Sequence, residues 1–312
     1  MATQGTVIRS SGSVYGVRAI DGSIVDCRVK GNFRLKGIRS TNPVAVGDHV
    51  KFDVRSDGTA YIIEILERKN YIVRKASNLS KQSHILAANL DLCFLIATIS
   101  HPTTATTFID RFLAAAEAYR VPVVLVFNKT DIYKECEREE LEYLKALYES
   151  IGYKCLCTSA KEGKGIEELK EMMRGKVSLL AGNSGVGKSS LVNAIAPQIA
   201  ARVGEISKTH DTGMHTTTYT EMFEFMPDSY IVDTPGVKGF GTFDMKAEEI
   251  SHYFVEFFGL SKDCRYGNCT HTHEPGCAVL EALERGKIAP SRYQSYLSML
   301  EDKNEGKYRA SE

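Results

Sequence analysis

The densest chemistry in the chain lies in nine residues, GNSGVGKSS, Gly182 to Ser190. They fit the pattern G-x-x-x-x-G-K-[ST] and stand between an apolar run, KVSLLA (176–181), and a helix-forming run, SSLVNAIAP, the setting that a phosphate loop requires. Gly182, Gly185 and Gly187 let backbone N–H groups turn inward around phosphate oxygens, and Asn183, Ser184 and Val186 complete the loop. The helix that follows adds the positive end of its dipole. Lys188 is expected to reach the β- and γ-phosphates and so to serve catalysis as well as binding. Ser189 is expected to bind magnesium, with Ser190 beside it in the loop.

Three further segments extend this site. DTPG (233–236) follows the apolar run YIV, so Asp233 ends a strand facing the phosphate loop, where a carboxylate holds the magnesium shell, and Gly236 offers a backbone N–H to the γ-phosphate. NKTD (128–131) ends the run VPVVLVF. The Asp131 carboxylate can accept from both N1–H and the 2-amino group of guanine, whereas adenine would leave it facing a lone pair. Asn128 can bond the base edge and tie this loop to the phosphate cradle, and the stem of Lys129 can cover the ring. In TSAK (158–161) the Ala160 N–H would meet the guanine O6, between Ser159 and Lys161. The joint reading of these motifs is GTP with magnesium.

Between the phosphate loop and DTPG lies KTHDTGMHTTTYT (208–220), with the composition of a switch loop. A threonine among Thr216–Thr218 is expected to close on magnesium and the γ-phosphate; Thr216 and Thr217 are assigned to the nucleotide, and Thr217 to the metal. Val237 stands where Ras-like enzymes carry a water-orienting glutamine, and an apolar side chain cannot align water. His215 is the nearest candidate for that task, so it is assigned as catalytic. Another cluster, CRYGNCTHTHEPGC, holds Cys264, Cys269, His271 and Cys277 within fourteen residues. Three thiolates and an imidazole suit one tetrahedral zinc ion with a closed, structural shell. His273 can substitute for His271 in this reading. Cys27, Cys93, Cys136, Cys155 and Cys157 are read as buried or incidental.

The elements that must position these residues fall into three segments. Residues 1–70 contain five short alternating runs with Asp21-Gly22 and Asp57-Gly58 as turns, which fits a small OB-fold barrel and, nearly as well, an SH3-like one. Residues 71–240 alternate continuous apolar strands with amphipathic helices, an α/β doubly wound sheet. Because the base-reading loops precede the phosphate loop, this P-loop domain is circularly permuted, and its switch runs directly into the last segment. Residues 241–312 form a mainly helical zinc-binding domain, with Tyr293, Tyr296, Leu297 and Leu300 packing at helical spacing.

With 312 residues, 43% hydrophobic and 25% charged, the chain can bury a sizeable core. The absence of an 18-residue apolar run or an apolar leader predicts a cytoplasmic protein with no membrane partner, and a monomer is expected. The net charge is zero but uneven: residues 1–81 carry 14 Lys and Arg against 7 Asp and Glu. A basic head on an acidic body points to nucleic acid.

These motifs, in the order NKTD, TSAK, GNSGVGKSS, GMHTTT, DTPGV and CRYGNCTHTHEPGC, resemble the bacterial ribosome small-subunit-dependent GTPase A family over nearly the whole chain. The resemblance implies an OB-fold, a permuted GTPase domain and a zinc domain. It also implies a slow GTPase, converting GTP to GDP, that acts late in 30S maturation, is stimulated by the 30S subunit and is released on hydrolysis. The OB and zinc domains would contact 16S rRNA, and the switch histidine, His215 here, is implicated in hydrolysis. The family's glycine-arginine-histidine segment is Gly213-Met214-His215 in this chain, so a basic residue is missing at 214. Two other readings compete. A GTP-switched regulator of a protein partner predicts weak salt dependence of binding, and a small-molecule phosphotransferase has no use for a guanine-reading loop.

Overall fold

A computed structural model describes residues 3–29, 43–75, 83–199, 220–233 and 245–308. The five N-terminal runs form β1 (Thr3–Ser11), β2 (Val14–Ala19), β3 (Ile24–Val29), β4 (His49–Val54) and β5 (Ala60–Ile65). They neighbour one another in the order β1-β2-β3-β5-β4, and β4 returns to β1, pairing Val50 with Gly5, so the sheet closes. Alternation along each strand sends Val7, Tyr15, Val17, Cys27, Phe52 and Ile62 inward to one apolar cluster. At both aspartate-glycine turns the carboxylate accepts the N–H two residues on, from Ser23 and from Thr59, each at 2.9 Å. The closed order, with β3 parallel to β5, is the Greek-key closure of an OB-fold.

An antiparallel hairpin, β6 (Tyr71–Lys75) and β7 (Ser83–Ala88), comes next and is not among the expected elements. The main sheet then builds from β8 (Leu92–Ala97), α1 (Thr106–Ala118), β9 (Val123–Phe127), α2 (Glu135–Ser150), β10 (Lys154–Cys157), α3 (Ile166–Met173), β11 (Val177–Ala181), α4 (Lys188–Ile195), β12 (Thr220–Met226) and β13 (Ser229–Asp233). Its order is β10-β9-β8-β11-β13-β12, parallel except for β12. Both faces are covered, which is why the strands read as continuous apolar runs: Cys93, Leu95 and Ala97 enter one core, Phe94 and Ile96 the other. β1 of the barrel pairs antiparallel with the edge strand β12, matching Arg9 to Glu221, so barrel and main sheet form one eleven-stranded sheet. Arg18 reinforces the junction, donating to Glu224 at 2.9 Å and to the Tyr230 hydroxyl at 2.7 Å.

The C-terminal segment folds as a 3₁₀ stretch (Ala247–Tyr253) and the helices α5 (Val255–Ser261), α6 (Ala278–Glu284) and α7 (Pro290–Tyr308). Phe254, Phe257, Tyr296 and Met299 share the core of α1 and α2, so the α7 stripe packs inward. At its centre Arg292, 1% exposed, donates to Asp110 of α1 at 2.9 Å and forks onto Glu256 of α5 at 2.7 and 2.9 Å. Tyr148 of α2 and Ser295 also donate to Asp110, at 2.9 and 2.6 Å. Among the described residues no helix is long and apolar enough to cross a membrane.

Candidate functional site

The carboxyl ends of β8, β9, β10 and β11 lie side by side. After β8 the chain builds outward through β9 to β10, then returns to lay β11 on the other side of β8, so the strand order reverses there, the kind of point where such sheets bind ligands beyond their carboxyl ends. The loop from Gly182 to Gly187 leaves β11 at this point. Gly182 has φ 142° and Gly187 φ 97°. A Cβ on Gly182 would lie 2.4 Å from the Ile96 carbonyl oxygen, and one on Gly187 would lie 2.4 Å from Asn128 Nδ2. Only glycine lets the loop pass this close to β8 and to the base-reading loop. Val186 is fully buried and anchors the loop, whereas Ser189 and Ser190 are exposed in the first turn of α4. The Lys188 ammonium donates to the carbonyls of Gly182 at 2.8 Å and Asn183 at 2.5 Å, which places it over the mouth of the loop.

Asn128 binds the two halves of the site together. Its amide N–H₂ donates to the Val186 carbonyl at 2.9 Å, its amide oxygen accepts from Thr158 at 3.0 Å, and its backbone N–H donates to Ala97 at 2.9 Å. The sequence placed Asn128, Asp131, Ser159 and Ala160 in one site, and β9 and β10 bring them together by ending in register, with Phe127 opposite Cys157. The buried Ser159 hydroxyl donates to Asp131 Oδ1 at 2.7 Å, so the serine orients the carboxylate. Lys161 is exposed beyond it. Lys129 sits at φ 66°, and its ammonium reaches the His101 carbonyl at 2.6 Å.

That contact introduces a segment the sequence reading did not identify, the loop after β8. Its Pro102 lies against Gly185, 3.3 Å from where a Cβ would stand, and Thr98 holds it in place through its hydroxyl to the Pro102 carbonyl at 2.5 Å. No motif marks these residues; only the adjacency of β8 to both β9 and β11 puts them here. Asp233 closes β13, opposite Glu221 of β12. His215, Thr216, Thr217 and Gly236, with Met214 and Val237, lie outside the described residues.

The second site sits between α5 and α6. The ligand atoms of Cys264, Cys269, His271 and Cys277 all lie within 4.8 Å of one another. His271 Nδ1 is 3.3 Å from the Cys277 sulfur and 3.7 Å from that of Cys264, and those two sulfurs are 4.0 Å apart. Tetrahedral bonds of ~2.3 Å to sulfur and ~2.0 Å to nitrogen give edges of about 3.8 and 3.5 Å, so the four residues fit one ion. His271, 2% exposed, is the histidine that faces the cysteines, whereas His273 is exposed and bonds Thr272 at 2.8 Å. Tyr293 and Tyr296 of α7 donate to the carbonyls of His271 and Thr270 at 2.8 and 2.6 Å, so the loop is pinned from the same helix that carries Arg292. The carboxylate of Glu274 accepts from Thr270 N and Oγ1 at 2.6 and 2.5 Å and also from the N–H groups of Thr272 and His273. Burial by itself would raise its pKa, but these hydrogen bonds outweigh it and hold the carboxyl well below the usual range.

Residues 65–243 match the family model described as RsgA GTPase, and residues 4–62 match the RsgA N-terminal domain. The chain is 62% identical over 308 residues to small ribosomal subunit biogenesis GTPase RsgA 2 of Bacteroides thetaiotaomicron, covering 99% of each. It is 60% identical over 310 residues to small ribosomal subunit biogenesis GTPase RsgA of Porphyromonas gingivalis, covering 98% of each. Among solved structures it resembles YjeQ from Thermotoga maritima, with a TM-score of 0.78 and 36% identity over 97% of this chain and 98% of that one. It also resembles YloQ, a circularly permuted GTPase, with a TM-score of 0.73 and 26% identity over 97% of this chain and 95% of that one. The permuted order of the site loops and these full-length likenesses lead to one conclusion: the chain belongs to the RsgA GTPase family.

Proposed function

We propose that this protein hydrolyses GTP during maturation of the small ribosomal subunit, with the 30S particle as its partner and activator. The observation that carries the nucleotide reading is Asn128, whose amide joins the base-reading loop to the phosphate loop at Val186, so that both are parts of one cradle. In that cradle Asp131, oriented by Ser159, reads guanine, with the Ala160 N–H on its O6 and the Lys129 stem over the ring. Backbone N–H groups from Gly182 to Ser190 hold the phosphates, and Lys188 turns from the loop carbonyls onto the β- and γ-phosphates, neutralising charge there. Ser189, Thr217 and the Asp233 shell would hold magnesium, which would supply positive charge to offset that developing in phosphoryl transfer. Thr216 and Gly236 are assigned to the γ-phosphate, and His215 to orienting the attacking water in place of a glutamine.

The Cys264–Cys269–His271–Cys277 set takes one zinc ion in a structural role, since four protein ligands leave no open position. The three-part division at about residues 70 and 240 follows the same reading. The names of the relatives and the basic excess of the N-terminal segment support contact with 16S rRNA: residues 28–39 carry Arg28, Lys30, Arg34, Lys36 and Arg39 and no carboxylate. On this reading the protein acts in the cytoplasm, as a monomer. The test is steady-state GTP hydrolysis with purified 30S subunits, with 50S subunits, and alone. Stimulation by 30S only, falling steeply with salt, is expected; equal rates in all three would overturn the ribosomal role while leaving the GTPase.

A further inference from the structure

We propose that Tyr133 is a positioning residue for the nucleotide, holding the base-reading loop and the loop after β8 in one arrangement. The inference rests on the guanine reading of the site above. Tyr133 follows the 3₁₀ turn Thr130–Ile132 that ends the NKTD segment, and its ring is buried, 3% exposed. Its hydroxyl donates to the backbone carbonyl of Asn128 and accepts the N–H of Ile99 at 3.0 Å. Burial pushes the phenol up to about 12, so it stays a donor at neutral pH.

The two partners are not incidental. Asn128 is the residue whose side chain joins Val186 to Thr158, so the phenol fixes the backbone from which that amide projects. Ile99 begins the loop that carries the His101 carbonyl to Lys129 and Pro102 to Gly185. One hydroxyl therefore sets the distance between the base-reading loop and the wall behind the phosphate loop. The hydroxyl acts through the two backbones it joins, those of Asn128 and Ile99. Removing the hydroxyl leaves a buried carbonyl and a buried N–H without a partner, and the loops can meet those needs only by moving.

The experiment compares Tyr133→Phe with Tyr148→Phe in the full chain, reading GDP affinity, KM and kcat for GTP, and the urea midpoint. Tyr148 is a matched control: it is fully buried on α2 and donates to Asp110 at 2.9 Å, away from the nucleotide loops. Tyr133→Phe is expected to weaken GDP binding and raise KM by about 5–30-fold with kcat within about twofold. Tyr148→Phe is expected to lower the urea midpoint with unchanged GDP affinity. A Tyr133→Phe protein that binds GDP as tightly as wild type, while wild type prefers GDP over ADP, overturns the positioning role alone. A wild type with no guanine preference overturns the reading beneath it. Amide exchange on the wild-type chain gives a measurement that no variant's folding can obscure. GDP should slow exchange of the Ile99 N–H by at least ~5-fold through the reciprocity of coupled sites, and an unchanged rate refutes the proposal.

Discussion

Replacing Arg292 by methionine tests how the C-terminal segment is held to the nucleotide-binding body. Arg292 makes three charge-assisted hydrogen bonds of 2.7–2.9 Å, and Asp110, its partner on α1, is fully buried. Methionine fills much of the stem's volume but strands the Asp110 charge, so the loss should be about 3–5 kcal/mol. Because the chain has no tryptophan, urea unfolding is best followed by far-UV circular dichroism. At a slope of ~2.5 kcal/mol/M the midpoint should fall by about 1–2 M. The penalty must also depend on pH, with a sign that the structure dictates. Burial raises the Asp110 pKa above its ordinary value of 3.8, and Arg292, Ser295 and Tyr148 work against that rise. A carboxyl with a raised folded-state pKa loses stability as pH climbs from its unfolded pKa through the folded one. Removing Arg292 deletes the leading opposing charge, so that loss extends to higher pH in the variant. The difference from wild type should therefore be larger at neutral pH than at mildly acidic pH, where the carboxyl takes up its proton. Arg285→Met, which removes an exposed helical pair with Glu281 at 3.4 Å, should cost far less. A loss under ~1 kcal/mol for Arg292→Met, or one equal at both pH values, would refute the argument that a buried, uncompensated carboxylate sets the cost.

Two further outcomes are expected. Asp131→Asn should weaken GTP binding by about 100-fold or more and improve binding of xanthosine triphosphate, whose 2-oxo group accepts where guanine donates. Competition binding measures this, and an unchanged GTP preference would remove Asp131 from the base-reading role. Elemental analysis should find one zinc per chain, lost or sharply reduced in His271→Ala and retained in His273→Ala. The opposite pattern would mean that the loop ligates through the exposed histidine instead.

Much of the nucleotide site was legible because its chemistry is local. A phosphate loop needs glycines at fixed intervals and a lysine at the helix start, and a guanine reader needs a carboxylate one turn beyond an asparagine; both demands are written in consecutive residues. The five barrel strands were legible for a similar reason, since one-face burial writes period-two alternation and Asp21 and Asp57 mark their turns chemically. The cluster that could hold a metal ion was legible down to the histidine, where two candidates sit two residues apart. Geometry separated them, because the His271 imidazole is buried 3.3 Å from the Cys277 sulfur whereas His273 is exposed. The hairpin of β6 and β7 was not legible, because short apolar runs with no turn signature between them resemble a linker.

By itself the sequence determined the nucleotide chemistry, the permuted order of its loops, the alternation that makes a barrel followed by a parallel sheet, and a Cys/His cluster that could hold a metal ion. Each depends on residue type and spacing along one stretch of chain. The tertiary structure alone decided that the barrel continues the main sheet through β1 and β12, that Arg292 meets Asp110 across 182 residues, and that Tyr133 ties Asn128 to the loop after β8. Those contacts join distant segments through single side chains or strand edges. A lone tyrosine, arginine or edge strand has no periodicity or spacing of its own, and its partner is set by which strands become neighbours when the sheet assembles.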